Sequence, residues 1–346
     1  MTRLVIATDK GLMVAHGRNG EWHAVEHMRD TDVQALATDP CHPAIMYCGT
    51  YGQGLWRSDD AGGTWRPVGD GITHPQVMSI AVSALERSGD EGVVYAGTEP
   101  SALFRSTDGG ATWHECAALR ALPSAPAWSF PPRPYTSHVR CITLDPHKPG
   151  VLDLCIEAGA LVRSTDAGET WTDRVPDGPW DTHTLLVHRD APDWLYAAAG
   201  DGFMRPGAGY AESRDAGASW QRHGEGLRHH YLWGAAVDPA NPETIIVSAA
   251  DSPNQAHNPH AAESYVYRRS GGRWHESGDG LPIGRGMLAP VLATNVAEPG
   301  VFYAAANTGL YRSADAGTSW SSLPIPWSDA YRSRHVNALV VTETYG

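Results

Sequence analysis

An eight-residue pattern, Ser-x-Asp-x-Gly-x-Ser/Thr-Trp, returns along the whole of this chain and limits what it can fold into. Intact copies occupy residues 58–65, 106–113, 164–171, 213–220 and 313–320, and worn copies end at Trp22 and Trp274. The seven tryptophans stand 43 to 58 residues apart. That period belongs to arrays of small units, each burying its apolar face on a neighbour. Within one copy the Ser and Asp side chains accept backbone N–H groups inside a tight turn, and the Gly takes a φ that other residues resist. The Trp opens the following strand and has a large face to bury. Each copy is thus a hairpin clasp with a packing anchor, and its Asp is committed to its own turn.

Between the clasps the chain divides into four-strand units. In the first, residues 33–38 form an inner strand, followed by strands at 45–50, 54–58 and 64–68, with Gly and Pro punctuation between them. Inner strands recur at 78–83, 140–144, 184–188, 234–237, 291–294 and 337–341. Residues 3–25 hold three strands with no inner strand before them, and residues 335–342 are an inner strand with nothing after it. Joined, the two ends complete one blade and bury both open edges. The expectation is an all-β, seven-bladed β-propeller with terminal-strand closure, one domain over residues 1–346.

The repeated box resembles the Asp-box, or BNR repeat, of sialidases and of many propellers that are not sialidases. The resemblance covers nearly the whole chain. It implies a propeller in which each box joins the third and fourth strands on the face away from the ligand. It does not imply sialidase chemistry, since no Phe/Tyr-Arg-Ile-Pro segment is present and Arg3 precedes Leu4 and Val5. The wording YCGTYGQGLWRSDDAG also resembles Asp-box glucanases, whose catalytic cleft lies between two propellers, and photosystem assembly factors of similar design. Lyases of acidic polysaccharides that hold a divalent metal on histidines are a functional analogy from a different motif family.

A formal charge of −13 argues against nucleic-acid or anionic-membrane partners. The chain lacks the run of roughly 18 apolar residues that a membrane helix needs. Its first residues, MTRLVIATDKG, read as a strand rather than a leader, so a soluble, cytoplasmic protein is expected. Of five cysteines, Cys141 and Cys155 could face each other on adjacent strands of one blade. Core packing of free thiols is the expectation for them, with a disulfide as the alternative.

Long connections mark the face that carries function. Residues 115–135, rich in proline and expected to be extended, and residues 201–210 and 251–264 all fall on the side opposite the boxes. The leading ends of the inner strands there are polar and aromatic. Positions two residues into each strand are Gln34, Met78, Arg140, His183, Trp233 and Asn337. Glu157, Asp181 and His183 are the candidate catalytic residues. His138, Arg140, His229, His230, Tyr231, Trp233 and His335 are candidate ligand-binding residues. One divalent transition metal is expected on His138, His183, His229 and Glu157, because imidazoles with a carboxylate suit such ions. His257 and His260 are read as solvated loop residues. The expected function is binding of a small polar or glycan-like ligand, as a metal-dependent hydrolase or lyase. The alternative is a non-catalytic propeller that grips a protein partner on the same face.

Overall fold

A computed structural model describes residues 1–18 and 20–343, whose strands sort into seven antiparallel sheets. Blade one runs Val33–Thr38, Met46–Thr50, Leu55–Ser58 and Arg66–Pro67. Blades two to six begin with the inner strands Gln76–Ser88, Val139–Leu144, Thr182–His188, Tyr231–Asp238 and Val291–Thr294. Blade seven is closed by Val336–Glu343 pairing antiparallel with Thr2–Thr8 at the N-terminus. Each inner strand touches the next, and the last touches the first, so the sheets form a ring. The core lies between neighbouring blades, built from the apolar residues of their second and third strands. Among the described residues, no helix is long and apolar enough to cross a membrane.

The boxes fold as the clasps their chemistry dictates. Ser58 Oγ accepts the Gly62 N–H and donates to Asp60, both at 2.8 Å, while Asp60 accepts the Thr64 N–H and hydroxyl at 2.8 Å. The same set recurs around Asp108, Asp166, Asp215 and Asp315. The glycine is not alone in the left-handed region. Ala61, Ala167, Ala216 and Ala316, each just before it, have φ of 64°, 61°, 56° and 58°. Box tryptophans then reach back a blade: Trp113 donates to the Val68 carbonyl at 2.7 Å and Trp274 to that of His223 at 2.7 Å.

The inner strands share a local irregularity. In blade one Val33 pairs with Thr50 and Ala35 with Gly49, leaving Gln34 as an extra, unpaired residue. Equivalent shifts skip Met78, Arg140, His183, Trp233 with Gly234, and Asn337. A bulge of this kind re-aims a side chain out of the strand's alternation. Blade six shows no such shift in its paired residues.

Blade three departs furthest from the plan. Its sheet has three strands, with only an Arg163–Thr172 bridge where a fourth would pair. The insertion expected to be extended instead forms two short 3-10 turns, Ala117–Ala121 and Ala125–Ala127, which lay Trp128 on the blade's core. The expectation of free thiols is also corrected: Cys141 and Cys155 form a disulfide, with Cα atoms 5.1 Å apart. The bulge explains this pairing. Without the skip at Arg140, Cys141 would face Leu154; with it, Cys141 stands directly opposite Cys155.

The clasps also set the response to acid. Burial would raise the carboxyls of Asp108 and Asp315, but hydrogen bonds from Thr112 and Ser106, and from Ser319 and Ser313, outweigh it and hold both at about 2, against 3.8 when free. A depressed carboxyl stabilises the fold above its unfolded value and loses that contribution as pH falls through the folded one. The melting temperature should therefore decline from about pH 4 toward pH 2. An Asp108→Asn/Asp315→Asn double variant should start lower and decline less steeply; parallel curves would contradict the assignment.

Candidate functional site

The bulge residues gather at the end of the channel opposite the boxes. From blade three, His138 is buried with Nε2 2.9 Å from Glu157 Oε2. Its Nδ1 lies 3.4 Å from Glu99 Oε2, and Arg133 of the long insertion holds Glu99 through two bonds of 2.8 and 2.6 Å. Arg140 places its guanidinium carbon 4.3 Å from the Trp233 ring centroid and its Nε 3.7 Å from Glu157 Oε2.

Blade four contributes Asp181 and the fully buried His183. His183 Nδ1 is 2.6 Å from the Leu232 carbonyl oxygen. A carbonyl only accepts, so Nδ1 carries a proton and Nε2 is the ring nitrogen that faces inward. That Nε2 stands 3.6 Å from Asp181 Oδ1 and 3.9 Å from Glu157 Oε1. One donor atom from each of Glu157, Asp181 and His183 lies within 4.8 Å of the others. Asp181 is held in place from both sides. Its Oδ1 accepts the Ala158 N–H at 2.8 Å, and its own N–H donates to Asp201 at 2.9 Å.

From blade five, the Tyr231 hydroxyl lies 2.9 Å from His257 Nε2 and 3.5 Å from His183 Nε2. His257 ends a short helix, Pro253–His257, whose N-cap Ser252 accepts the Gln255 N–H. Its ring stands 4.2 Å from Trp233 and 4.8 Å from His335.

Burial sets the charge states. It would raise Glu157, but His138, His183 and Arg140 outweigh it and hold this carboxyl well below the usual range. Burial raises Asp181, with His183 pulling the other way and Glu157 adding to the rise. The His335 imidazole is pushed down to about 4 by burial and by Arg140, and His257 is pushed down by burial, His335 and His183. Tyr231 is raised by burial and by the two acids. At neutral pH Glu157 is ionised, the two rings are neutral, and Tyr231 keeps its proton while sharing a hydrogen bond with His257.

Two adjoining cavities open here. One, of about 520 Å³, has Phe130, Trp180, Phe203 and Met204 around Glu157 and Asp181. The other, of about 530 Å³, lies over the channel and is lined by the bulge residues Gln34, Met78, Arg140, Trp233 and Asn337.

His138, Arg140, Glu157, Asp181, His183, Tyr231, Trp233 and His335 are thus brought together. His229 is not. It stacks on Tyr265 with centroids 3.8 Å apart and bonds the Tyr267 hydroxyl at 2.6 Å, outside the cluster. His230 accepts the Gly207 N–H at 3.3 Å and is not among the residues lining either cavity. His138 sits between two carboxylates and works as a positioning residue. The reading of His257 as solvated is corrected, since it packs on Tyr231, Trp233 and His335 and lines both cavities. Glu99, Arg133 and Asp201 escaped notice in the sequence; nothing local marks them, because their partners come from other blades or loops.

A BNR/Asp-box repeat is matched at residues 104–115, and no curated protein matches. Among solved structures, the GH74 enzyme of Niastella koreensis is 20% identical with a TM-score of 0.69, over 92% of this chain and 51% of that one. The GH74 xyloglucanase of Xanthomonas campestris is 18% identical with a TM-score of 0.61, over 93% and 46%. YCF48 bound to D1 peptide is 16% identical with a TM-score of 0.60, over 94% and 97%. At these identities the likeness establishes the fold, and this chain spans about half the length of the two GH74 enzymes.

Removing His138 leaves Glu99 and Glu157 facing each other in a buried place. His138→Ala should cost about 3–5 kcal/mol in chemical denaturation, whereas His229→Ala, outside the cluster, should cost under about 1 kcal/mol. Equal costs would contradict the positioning role.

Proposed function

We propose that this chain of BNR/Asp-box repeats, closed into a seven-bladed propeller, binds a small polar or glycan-like ligand at its mouth. A divalent metal on Glu157, Asp181 and His183 would serve hydrolase- or lyase-like chemistry there. The observation that carries the reading is the His183 ring. With Nδ1 donating to the Leu232 carbonyl, its Nε2 points toward two carboxylates at 3.6 and 3.9 Å. A divalent cation that takes the place of an Nε2 proton would be held by all three groups at once. Those separations are too long for hydrogen bonds, yet donors about 2.1 Å from one ion stand about 3–4 Å apart.

The surroundings fit. The Leu232 carbonyl fixes the ring tautomer as outer partners of metal-bound histidines do. Gly200 leaves a cradle: a Cβ there would press on the Asp181 carboxylate and stand 2.9 Å from His183 Cε1. One nitrogen and two carboxylates suit Zn²⁺, Mn²⁺ or Fe²⁺. Such an ion supplies Lewis acidity and an activated water when bound. The chain's own groups do the rest: Trp180 and Phe203 offer apolar faces to a ring-shaped ligand, and Tyr231 keeps its proton beside the donors.

A second reading has one specific observation behind it. The peptide-bound YCF48 structure matches this chain over nearly its full length, and Trp180, Phe203, Met204 and Tyr135 are exposed. In that reading the mouth receives a peptide and carries out no chemistry.

Elemental analysis and calorimetry after loading with Zn²⁺ or Mn²⁺ separate the two. One ion per chain is expected, lost in Asp181→Asn and His183→Ala and retained in His229→Ala. Gly200→Ala, which fills the cradle, should weaken uptake at least about tenfold. Absence of stoichiometric uptake, with peptides binding and oligosaccharides not, would overturn the metal site in favour of the second reading.

A further inference from the structure

We propose that the chamber over the channel axis is an oxyanion subsite in which Arg140 receives a carboxylate or phosphate of the ligand. The ligand is then an acidic sugar or sugar phosphate whose other end lies on the Glu157–Asp181–His183 floor. This deepens the proposed function, but the subsite stands on its own observations.

The first is the state of the Arg140 guanidinium. It carries five N–H donors, and its side chain is only 14% exposed. Its Nε is shut off from water and has no hydrogen-bond partner. The nearest acidic oxygen, Glu157 Oε2, is 3.7 Å away and is already engaged by His138 at 2.9 Å. Three other arginines of this ring meet a carboxylate closely: Arg57 meets Glu91 at 2.7 Å, Arg133 meets Glu99 at 2.6 Å, and Arg163 meets Asp153 at 2.7 Å. Arg140 alone of these four is kept from such a partner, although burying an unsatisfied guanidinium is costly.

The second observation is how it is held. The bulge takes Arg140 out of the strand pairing, the Cys141–Cys155 bond fixes the register beside it, and Trp233 packs against the guanidinium. A planar fork held in this way matches a carboxylate or phosphate through two parallel bonds. Its rotamer entropy is lost before the ligand arrives.

The third is the chamber itself. Its charged lining is Arg140 and Arg133, the latter paired with Glu99, against the single acid Glu157, with the neutral rings of His257 and His335 beside them. His335 Nε2 is likewise buried and unpaired, and Gln34, Asn254, Asn258 and Asn337 add neutral amides.

The test compares glucuronate, glucose 6-phosphate and glucose by calorimetry on the full chain loaded with Zn²⁺. At least one acid should bind about tenfold or more tighter than glucose, the scale of one charge-assisted contact. Which acid is preferred separates carboxylate from phosphate. Arg140→Met, which keeps a long apolar stem beside Trp233, should abolish the preference while leaving one metal per chain, and Arg140→Lys should restore part of it. In the wild-type protein the Arg140 Nε–H resonance should shift on titration with the preferred acid, which keeps the test open if a variant misfolds. Equal binding of glucose and the acids, binding of neither acid, or a preference that survives Arg140→Met would overturn the subsite. Loss of metal uptake with the preference intact would instead remove the metal and leave the subsite standing.

Discussion

One extra residue near the leading end of an inner strand is the constraint on which the mouth of this propeller depends. A regular strand alternates its side chains between two faces, and in a ring of packed blades both faces meet a neighbouring sheet. The skipped residue belongs to neither face and is free to point at the axis. Six of the seven blades carry the skip, so six side chains from distant parts of the chain meet at one opening. Close approach of the blades makes this compact. Gly49 faces Val77 of the next inner strand, and Gly97 faces Val139, each where a Cβ would stand 2.6 Å from that residue's atoms.

The ring is symmetric in construction and asymmetric in chemistry. Blades one, two and seven place Gln34, Met78 and Asn337 at the opening, whereas blades three, four and five place Arg140, His183 and Trp233 there. Blade three has given up most of a fourth strand, and the insertion before it supplies Arg133 to anchor Glu99. The series Arg133, Glu99, His138, Glu157 runs through a largely buried region with each member against the next. Such an arrangement keeps its members fixed at a desolvation cost and leaves little freedom for any one of them to leave.

Much of the architecture was legible because the box is local chemistry repeated: a Ser, an Asp and a Gly within five residues define a turn wherever they fall. The opening was legible for the same reason, since Gln34 through Asn337 occupy one offset in every unit that has the bulge. What was hidden depended on register or on partners from elsewhere. His229 lies only two residues before Tyr231, yet it leaves the strand toward Tyr265 and Tyr267, and no spacing rule distinguishes those directions. The disulfide follows from a single skipped residue, without which Cys141 and Cys155 would be out of step. His257 has no repeat equivalent, and its place became visible only with the helix that carries it over the channel.

The convergence of Glu157, Asp181 and His183 on one point is tested most directly by diffraction from crystals soaked in Mn²⁺ or Zn²⁺, with data collected at the absorption edge of the ion. The geometry predicts one strong anomalous peak per chain about 2.0–2.2 Å from a donor of each residue, with His183 Nδ1 still on the Leu232 carbonyl. Peaks confined to other positions, or a His183 ring turned away from the two carboxylates, would contradict it.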